Sequence, residues 1–118
     1  MFKVLEKTYE NLIAIEIEGQ IEKKDYEKVT PLIEKAVREY GKVNLYIQIN
    51  SINGIEPSAF IEDVKTYFKH FKDVKKIAVV GENKWQKFWS ELASPFVSGK
   101  IKFFTHSEIA EAQIWVEA

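Results

Sequence analysis

The segment Lys76-Ile77-Ala78-Val79-Val80-Gly81 decides the fold class, because it is a continuous apolar run that ends at a glycine. An apolar run without alternation is typical of a central strand that is covered on both faces, as in a parallel sheet. Upstream, residues 43–50 alternate four aliphatic side chains with asparagine, tyrosine, glutamine and asparagine. This second pattern predicts a strand with one aliphatic and one polar face.

Further strands are predicted on both sides of these two. Residues 12–18 alternate isoleucines with Ala14, Glu16 and Glu18, and residues 2–7 and 100–104 are short and rich in apolar side chains. A tight turn at Glu10-Asn11 predicts that the first two strands form an antiparallel hairpin. Glu16, Glu18 and Glu22 are interpreted as solvated residues of a strand edge and a helix start.

Helical patterns occupy the segments between the later strands. Residues 22–40 place apolar side chains three or four apart up to Gly41, and Pro31 inside this pattern predicts a kink or two shorter helices. Helices are also predicted at about 57–71 and 83–93. Thr105 and Glu108 have the spacing of a capping box, which predicts a last helix that runs to about Val116.

The predicted order is therefore β-β-α-β-α-β-α-β-α. This order predicts an α/β fold in which helices flank a mixed, mostly parallel sheet of about five strands. The length of 118 residues is that of a single domain, 1–118.

Composition excludes several function classes. The chain has no cysteine and a formal net charge of -1, and Arg38 is its single arginine. These features argue against disulfides, cysteine-ligated metals and a nucleic-acid partner. No apolar run is long enough to span a bilayer and the first residues do not resemble a signal peptide, so a cytoplasmic protein is expected.

No catalytic or metal-binding constellation is predicted. The two histidines, His70 and His106, fall in different predicted elements, and no carboxylate cluster has the spacing of metal ligands. No glycine-rich nucleotide motif is present. We therefore predict no catalytic residue, no metal and no cofactor.

The segment Lys84-Trp85-Gln86-Lys87-Phe88-Trp89 carries the most distinctive composition of the chain. Aromatic side chains beside lysines suit a membrane interface or the cover of an apolar cavity. The alternative is that Trp85 and Phe88, at helical spacing, belong to the core. The candidate binding residues are Lys84, Trp85, Lys87, Phe88 and Trp89.

The whole chain resembles the SpoIIAA-like family of the STAS superfamily (sulfate transporter and anti-sigma factor antagonist). The resemblance rests on the order and spacing of several segments: Gly19-Gln20-Ile21-Glu22-Lys23-Lys24-Asp25-Tyr26, Pro31-Leu32, Leu45-Tyr46-Ile47-Gln48-Ile49, Lys76–Gly81 with Trp85, and Phe104 with Glu111-Ala112 and Trp115-Val116. It implies a STAS-like fold and a role in binding or regulation rather than catalysis.

The resemblance also implies a possible switch site at Ser58. The superfamily's regulated members are phosphorylated on a serine or threonine where a helix starts after the third strand. Here the local sequence is Glu56-Pro57-Ser58-Ala59, which departs from the superfamily pattern Asp-Ser-Ser/Thr-Gly. The alternative is that Ser58 only caps the first turn of that helix.

Two hypotheses follow. The first is a non-enzymatic module that binds a hydrophobic or amphipathic ligand, or an anionic membrane surface, through residues 83–94 together with Lys65, Lys69 and Lys72. The protein would then be peripheral to the membrane. The second is a protein-interaction switch that uses residues 51–60, as in the anti-sigma factor antagonists. In either case, the edge strands would allow a homodimer.

Overall fold

Five strands form one sheet in the order β1-β2-β3-β4-β5. The computed structural model describes residues 2–5, 9–19, 22–51, 73–82 and 101–118. The strands are β1 (Phe2–Val4), β2 (Leu12–Glu18), β3 (Val43–Ser51), β4 (Val74–Gly81) and β5 (Ile101–Thr105). β1 is antiparallel to β2, and the other neighbours are parallel. The predicted α/β class, the opening hairpin and the mixed sheet are confirmed.

The alternation of β3 divides the sheet into two faces. The helix α1 (Lys23–Tyr40) packs on one of them, which we call the α1 face. Its core combines Val29, Ile33 and Ala36 of α1 with the aliphatic residues of β2, β3 and β4. Each isoleucine of β2 has a β3 partner in register, such as Ile15 opposite Ile47, and burying these side chains stabilises the pairing.

The helix α1 is continuous through Pro31, so the alternative of two shorter helices is wrong. Val29 and Ile33, on either side of the proline, are 1% and 0% exposed. Their packing on the sheet outweighs the loss of one backbone donor. Gly41 then ends the helix with φ 77°, a left-handed conformation that glycine adopts without strain.

The start of α1 is fixed by a capping box that also holds β1. The buried Asp25 carboxylate accepts the backbone N–H of Glu22 at 2.8 Å and that of Phe2 at 3.4 Å. Beside it, the Phe2 and Tyr26 rings meet edge to face with centroids 5.1 Å apart. Asp25 therefore connects the first strand to the first helix.

The opposite side, which we call the α2 face, is covered by the C-terminal helix α2 (Ile109–Glu117). Ala112 and Val116 are fully buried there, and Ile109 and Trp115 are partly buried. The predicted capping box is present, with Thr105 and Glu108 bonded reciprocally, but the chain first makes a 3-10 turn at His106–Glu108. Inward packing of this helix is as predicted.

Side chains from the sheet bind the last carbonyls of α2. The Asn44 amide donates to the Val116 carbonyl at 2.8 Å, and the Lys76 ammonium donates to the Trp115 carbonyl at 3.1 Å. A helix end exposes carbonyl groups and partial negative charge, which both donors satisfy. Because Asn44 and Lys76 are register partners, they hold α2 antiparallel to β3 and β4.

Candidate functional site

The residues that the sequence singled out lie outside the described part of the chain. Ser58 falls in 52–72, and Lys84, Trp85, Lys87, Phe88 and Trp89 fall in 83–100. The helices predicted at 57–71 and 83–93 fall there too, as do His70, Lys65, Lys69 and Lys72. These predictions therefore remain predictions.

The starting points of both candidate segments are nevertheless known. β3 ends at Ser51 and its neighbour β4 ends at Gly81, and the two strands are parallel. Both segments therefore leave the sheet at the same edge, which we call the carboxyl edge. Loops that follow the carboxyl ends of parallel strands commonly carry binding residues.

A row of polar side chains on the α2 face runs along β3 towards this edge. The Tyr46 hydroxyl donates to Oε1 of Gln48 at 2.9 Å, and Nε2 of Gln48 donates to Oδ1 of Asn50 at 3.1 Å. Tyr46 is fully buried, whereas Gln48 and Asn50 are partly exposed. The row therefore begins in the core and ends at the surface of the carboxyl edge.

The Tyr46 hydroxyl is protonated at neutral pH. Burial, together with the negative charge of Glu16, raises the pKa of Tyr46 to about 12. The hydroxyl therefore acts as the donor to Gln48. Its observed role is to orient the first amide of the row.

Glu16 stands beside this row. In the register it lies between Lys3 of β1 and Gln48 of β3, so the three residues share the α2 face. The interpretation of Glu16 as a strand-edge residue is wrong, because β2 has a neighbour on each side. Glu16 is a partly buried carboxylate in the interior of the sheet.

The end of β4 is closely packed. A Cβ on Gly81 would lie 3.1 Å from Cε2 of Phe103 on β5. The glycine that ends the apolar run therefore lies tightly against a neighbouring ring, and an alanine there would need the Phe103 ring to move by a few tenths of an ångström. This packing fixes the point at which the chain leaves the sheet after Gly81.

Two carboxylates with lowered pKa values in the described part of the chain have structural roles. Burial raises the pKa of Asp25, but the hydrogen bonds from Glu22 and Phe2, together with the positive charges of the N-terminus and Lys28, outweigh it and lower the pKa overall. The backbone and hydroxyl of Thr105 lower the pKa of Glu108. Both residues cap helix starts. Within the described ranges, no group of three or more histidine, cysteine, aspartate or glutamate side chains could hold a metal ion.

The sequence did not single out Glu16, Gln48 and Asn50 as a site. The available signal was the polar half of the alternation in 43–50, which predicts a face that is not wholly apolar. Which strands are neighbours cannot be read from that alternation, so the position of Glu16 opposite Gln48 was not predictable from it.

These features define a small α/β protein with a five-stranded mixed sheet, one described helix on each face and polar groups at the carboxyl edge. The sequence model of the SpoIIAA-like family matches residues 12–117. The chain belongs to the SpoIIAA-like family, as its resemblance implied. No curated protein matches it.

A solved structure has the same fold. It is the crystal structure of an uncharacterized protein of the DUF3478 family with a SpoIIAA-like fold from Shewanella loihica PV-4. The two proteins are 24% identical, the match covers 98% of this chain and 93% of the other, and the TM-score is 0.65. Among the described residues, no helix is long and apolar enough to cross a membrane.

Proposed function

We propose that this protein is a non-enzymatic binding module that contacts an amphipathic ligand or an anionic membrane surface through residues 83–94. The observation that carries the proposal is the position of the sequence Lys84–Trp89 directly after the end of β4. β4 ends at the carboxyl edge, so this segment begins at an edge where loops commonly carry binding residues.

The residue types of the segment suit such a contact. Trp85, Phe88 and Trp89 would supply apolar area, at roughly 25 cal/mol for each Å² removed from water. Lys84 and Lys87 would meet negatively charged headgroups, each worth about 1 kcal/mol near an anionic surface. The fold of a STAS-type module and the capping roles of Asp25 and Glu108 support binding rather than catalysis.

Co-sedimentation with vesicles tests the proposal. Wild-type protein is mixed with phosphatidylglycerol vesicles and with neutral phosphatidylcholine vesicles at low and high salt. We expect binding to the anionic vesicles that weakens as salt is added, since salt screens the lysines. Trp89→Ala and the double change Lys84→Glu/Lys87→Glu should each weaken it.

Matched controls lie at the opposite edge of the sheet. Tyr9 is 73% exposed, and it pairs with Leu12 at the start of β2, so Tyr9→Ala removes an exposed aromatic far from the carboxyl edge. Lys42→Glu reverses an exposed charge just before β3. Both controls should bind vesicles as the wild type does. Equal loss in the controls, or no binding to either vesicle at low salt, would refute the membrane proposal.

A second candidate function is a protein-interaction switch at Ser58. It is favoured by family membership and by the end of β3 at the carboxyl edge, where the segment that contains Ser58 begins. A phosphate there would add about two negative charges. If this candidate is correct, Ser58→Asp abolishes binding to a partner kinase or anti-sigma factor while the thermal unfolding of the protein is unchanged. A partner that tolerates Ser58→Asp would refute the switch.

A further inference from the structure

The α2 face has a polar region that α2 does not cover. α2 packs on β3, β4 and β5, whereas Glu16 lies on β2 and is partly exposed. Gln48, opposite Glu16 on β3, is partly exposed as well, and so is Asn50, which lies at a register shift between β2 and β3. These polar groups therefore sit on internal strands of the sheet and are still accessible from solvent.

The hydrogen-bonding capacity of this region is only partly used. Gln48 accepts a hydrogen bond from Tyr46 and donates one to Asn50, so both ends of its amide are occupied. Asn50 accepts through its carbonyl oxygen, and within the described ranges its NH₂ group makes no hydrogen bond. Within the described ranges, the Glu16 carboxylate has no hydrogen bond or ion pair. Gln48 thus lies between a negatively charged hydrogen-bond acceptor, the Glu16 carboxylate, and the amide of Asn50.

We propose that Glu16 and Asn50 form a docking site for a basic side chain of a protein partner. The cationic group of the partner would form an ion pair with the Glu16 carboxylate. Nδ2 of Asn50 would donate a hydrogen bond to a backbone carbonyl of the partner segment that carries this cation. A cation paired with this carboxylate would form a charge-assisted hydrogen bond, which is stronger than a hydrogen bond between neutral groups. This site lies on the α2 face and does not depend on the proposed function of residues 83–94.

Lys3, the neighbour of Glu16 on β1, provides a second test of the docking site. It lies in register with Glu16 on the same face and is exposed, yet it makes no ion pair with Glu16 within the described ranges. Its flexible ammonium group lies on the neighbouring strand and would compete with the partner's cation for the Glu16 carboxylate. Removing the charge of Lys3 should therefore strengthen docking, whereas removing the charge of Glu16 should weaken it.

The test is an NMR titration with two capped alanine peptides, one carrying a single arginine and the other a glutamine at the same position. We expect the arginine peptide to shift the side-chain NH₂ signals of Asn50, and Glu16→Gln to weaken its binding about tenfold, the effect of losing one charged hydrogen bond. Lys3→Gln should bind the arginine peptide more tightly. Glu34→Gln, which removes an exposed carboxylate from α1, should leave binding unchanged.

Three results would overturn the docking site. In the first, the glutamine peptide binds as tightly as the arginine peptide. In the second, wild type and Glu16→Gln bind the arginine peptide with the same affinity. In the third, the Asn50 signals respond to anionic vesicles but not to the arginine peptide. If Glu16→Gln does not fold, the Lys3→Gln comparison decides alone, and unchanged or weaker binding there contradicts the proposal. Vesicle binding through residues 83–94 is measured separately, so each proposal can fail alone.

Discussion

The hydrogen bonds of Asp25 should make the stability of this protein depend on pH in a defined way. Asp25 is 2% exposed and accepts the N–H groups of Glu22 at 2.8 Å and Phe2 at 3.4 Å. The first distance is that of a good charge-assisted bond, and the second lies at the long limit. Asp25→Asn replaces one carboxylate oxygen by an NH₂ group that cannot accept either donor.

We expect Asp25→Asn to lower the free energy of unfolding at pH 7 by about 2 kcal/mol, the range for one hydrogen bond to a charged group. The folded-state pKa of Asp25 is lowered below 3.8, its ordinary value. The contribution of its charge is therefore complete above pH 3.8 and is lost as the pH falls through the lower, folded-state pKa. The gap between wild type and variant should shrink in acid.

Urea unfolding at pH 7 and at successively lower pH measures this gap. Glu27→Gln, an exposed position on the same helix, is the matched control and should stay close to the wild type at each pH. A gap that is absent at pH 7, or one that stays constant as the pH is lowered, would show that the Asp25 charge does not hold β1 and the start of α1.

Four further substitutions, one of which compensates for another, test contacts of the sheet. Gly81→Ala should destabilise the protein by about 1 to 3 kcal/mol in urea, because its Cβ meets the Phe103 ring at 3.1 Å, and Phe103→Leu should restore part of the loss. Lys76→Met should cost about 2 kcal/mol and increase amide hydrogen exchange in the last turn of α2, because the Trp115 carbonyl loses a charged donor. Tyr46→Phe should lower the free energy of unfolding by about 1 kcal/mol in thermal unfolding, because Gln48 loses its hydrogen-bond donor. Unchanged stability in Gly81→Ala, Lys76→Met or Tyr46→Phe would contradict the contact that the substitution removes or crowds.

Periodicity predicted most of the fold. The alternation in 43–50 assigned each residue of β3 to the correct face, and the unbroken run Ile77–Val80 was correctly predicted to be buried on both sides. Local capping signals also predicted helix ends correctly: Gly41 ends α1, and Thr105 and Glu108 form the capping box before α2. These features are local consequences of side-chain spacing and backbone preference.

Features that depend on tertiary contacts were harder to predict. Pro31 was expected to kink α1 or to divide it into two helices, but the buried side chains around it keep the helix continuous. Glu16 was interpreted as an edge residue because its place between Lys3 and Gln48 follows from strand order and register. The candidate site at Lys84–Trp89 rested on composition alone, which does not distinguish a core aromatic from a binding aromatic.

The depth of Trp89 in an anionic vesicle tests whether residues 83–94 bind a membrane. A variant with Trp85→Phe and Trp115→Phe retains Trp89 as its single tryptophan, since the chain has three, and phosphatidylglycerol vesicles with brominated acyl chains quench the emission of an inserted indole. We predict quenching by the brominated vesicles that is lost at high salt and in the Lys84→Glu/Lys87→Glu background. Trp89 emission that is the same with brominated, unbrominated and no vesicles at low salt would contradict a membrane-binding role for residues 83–94.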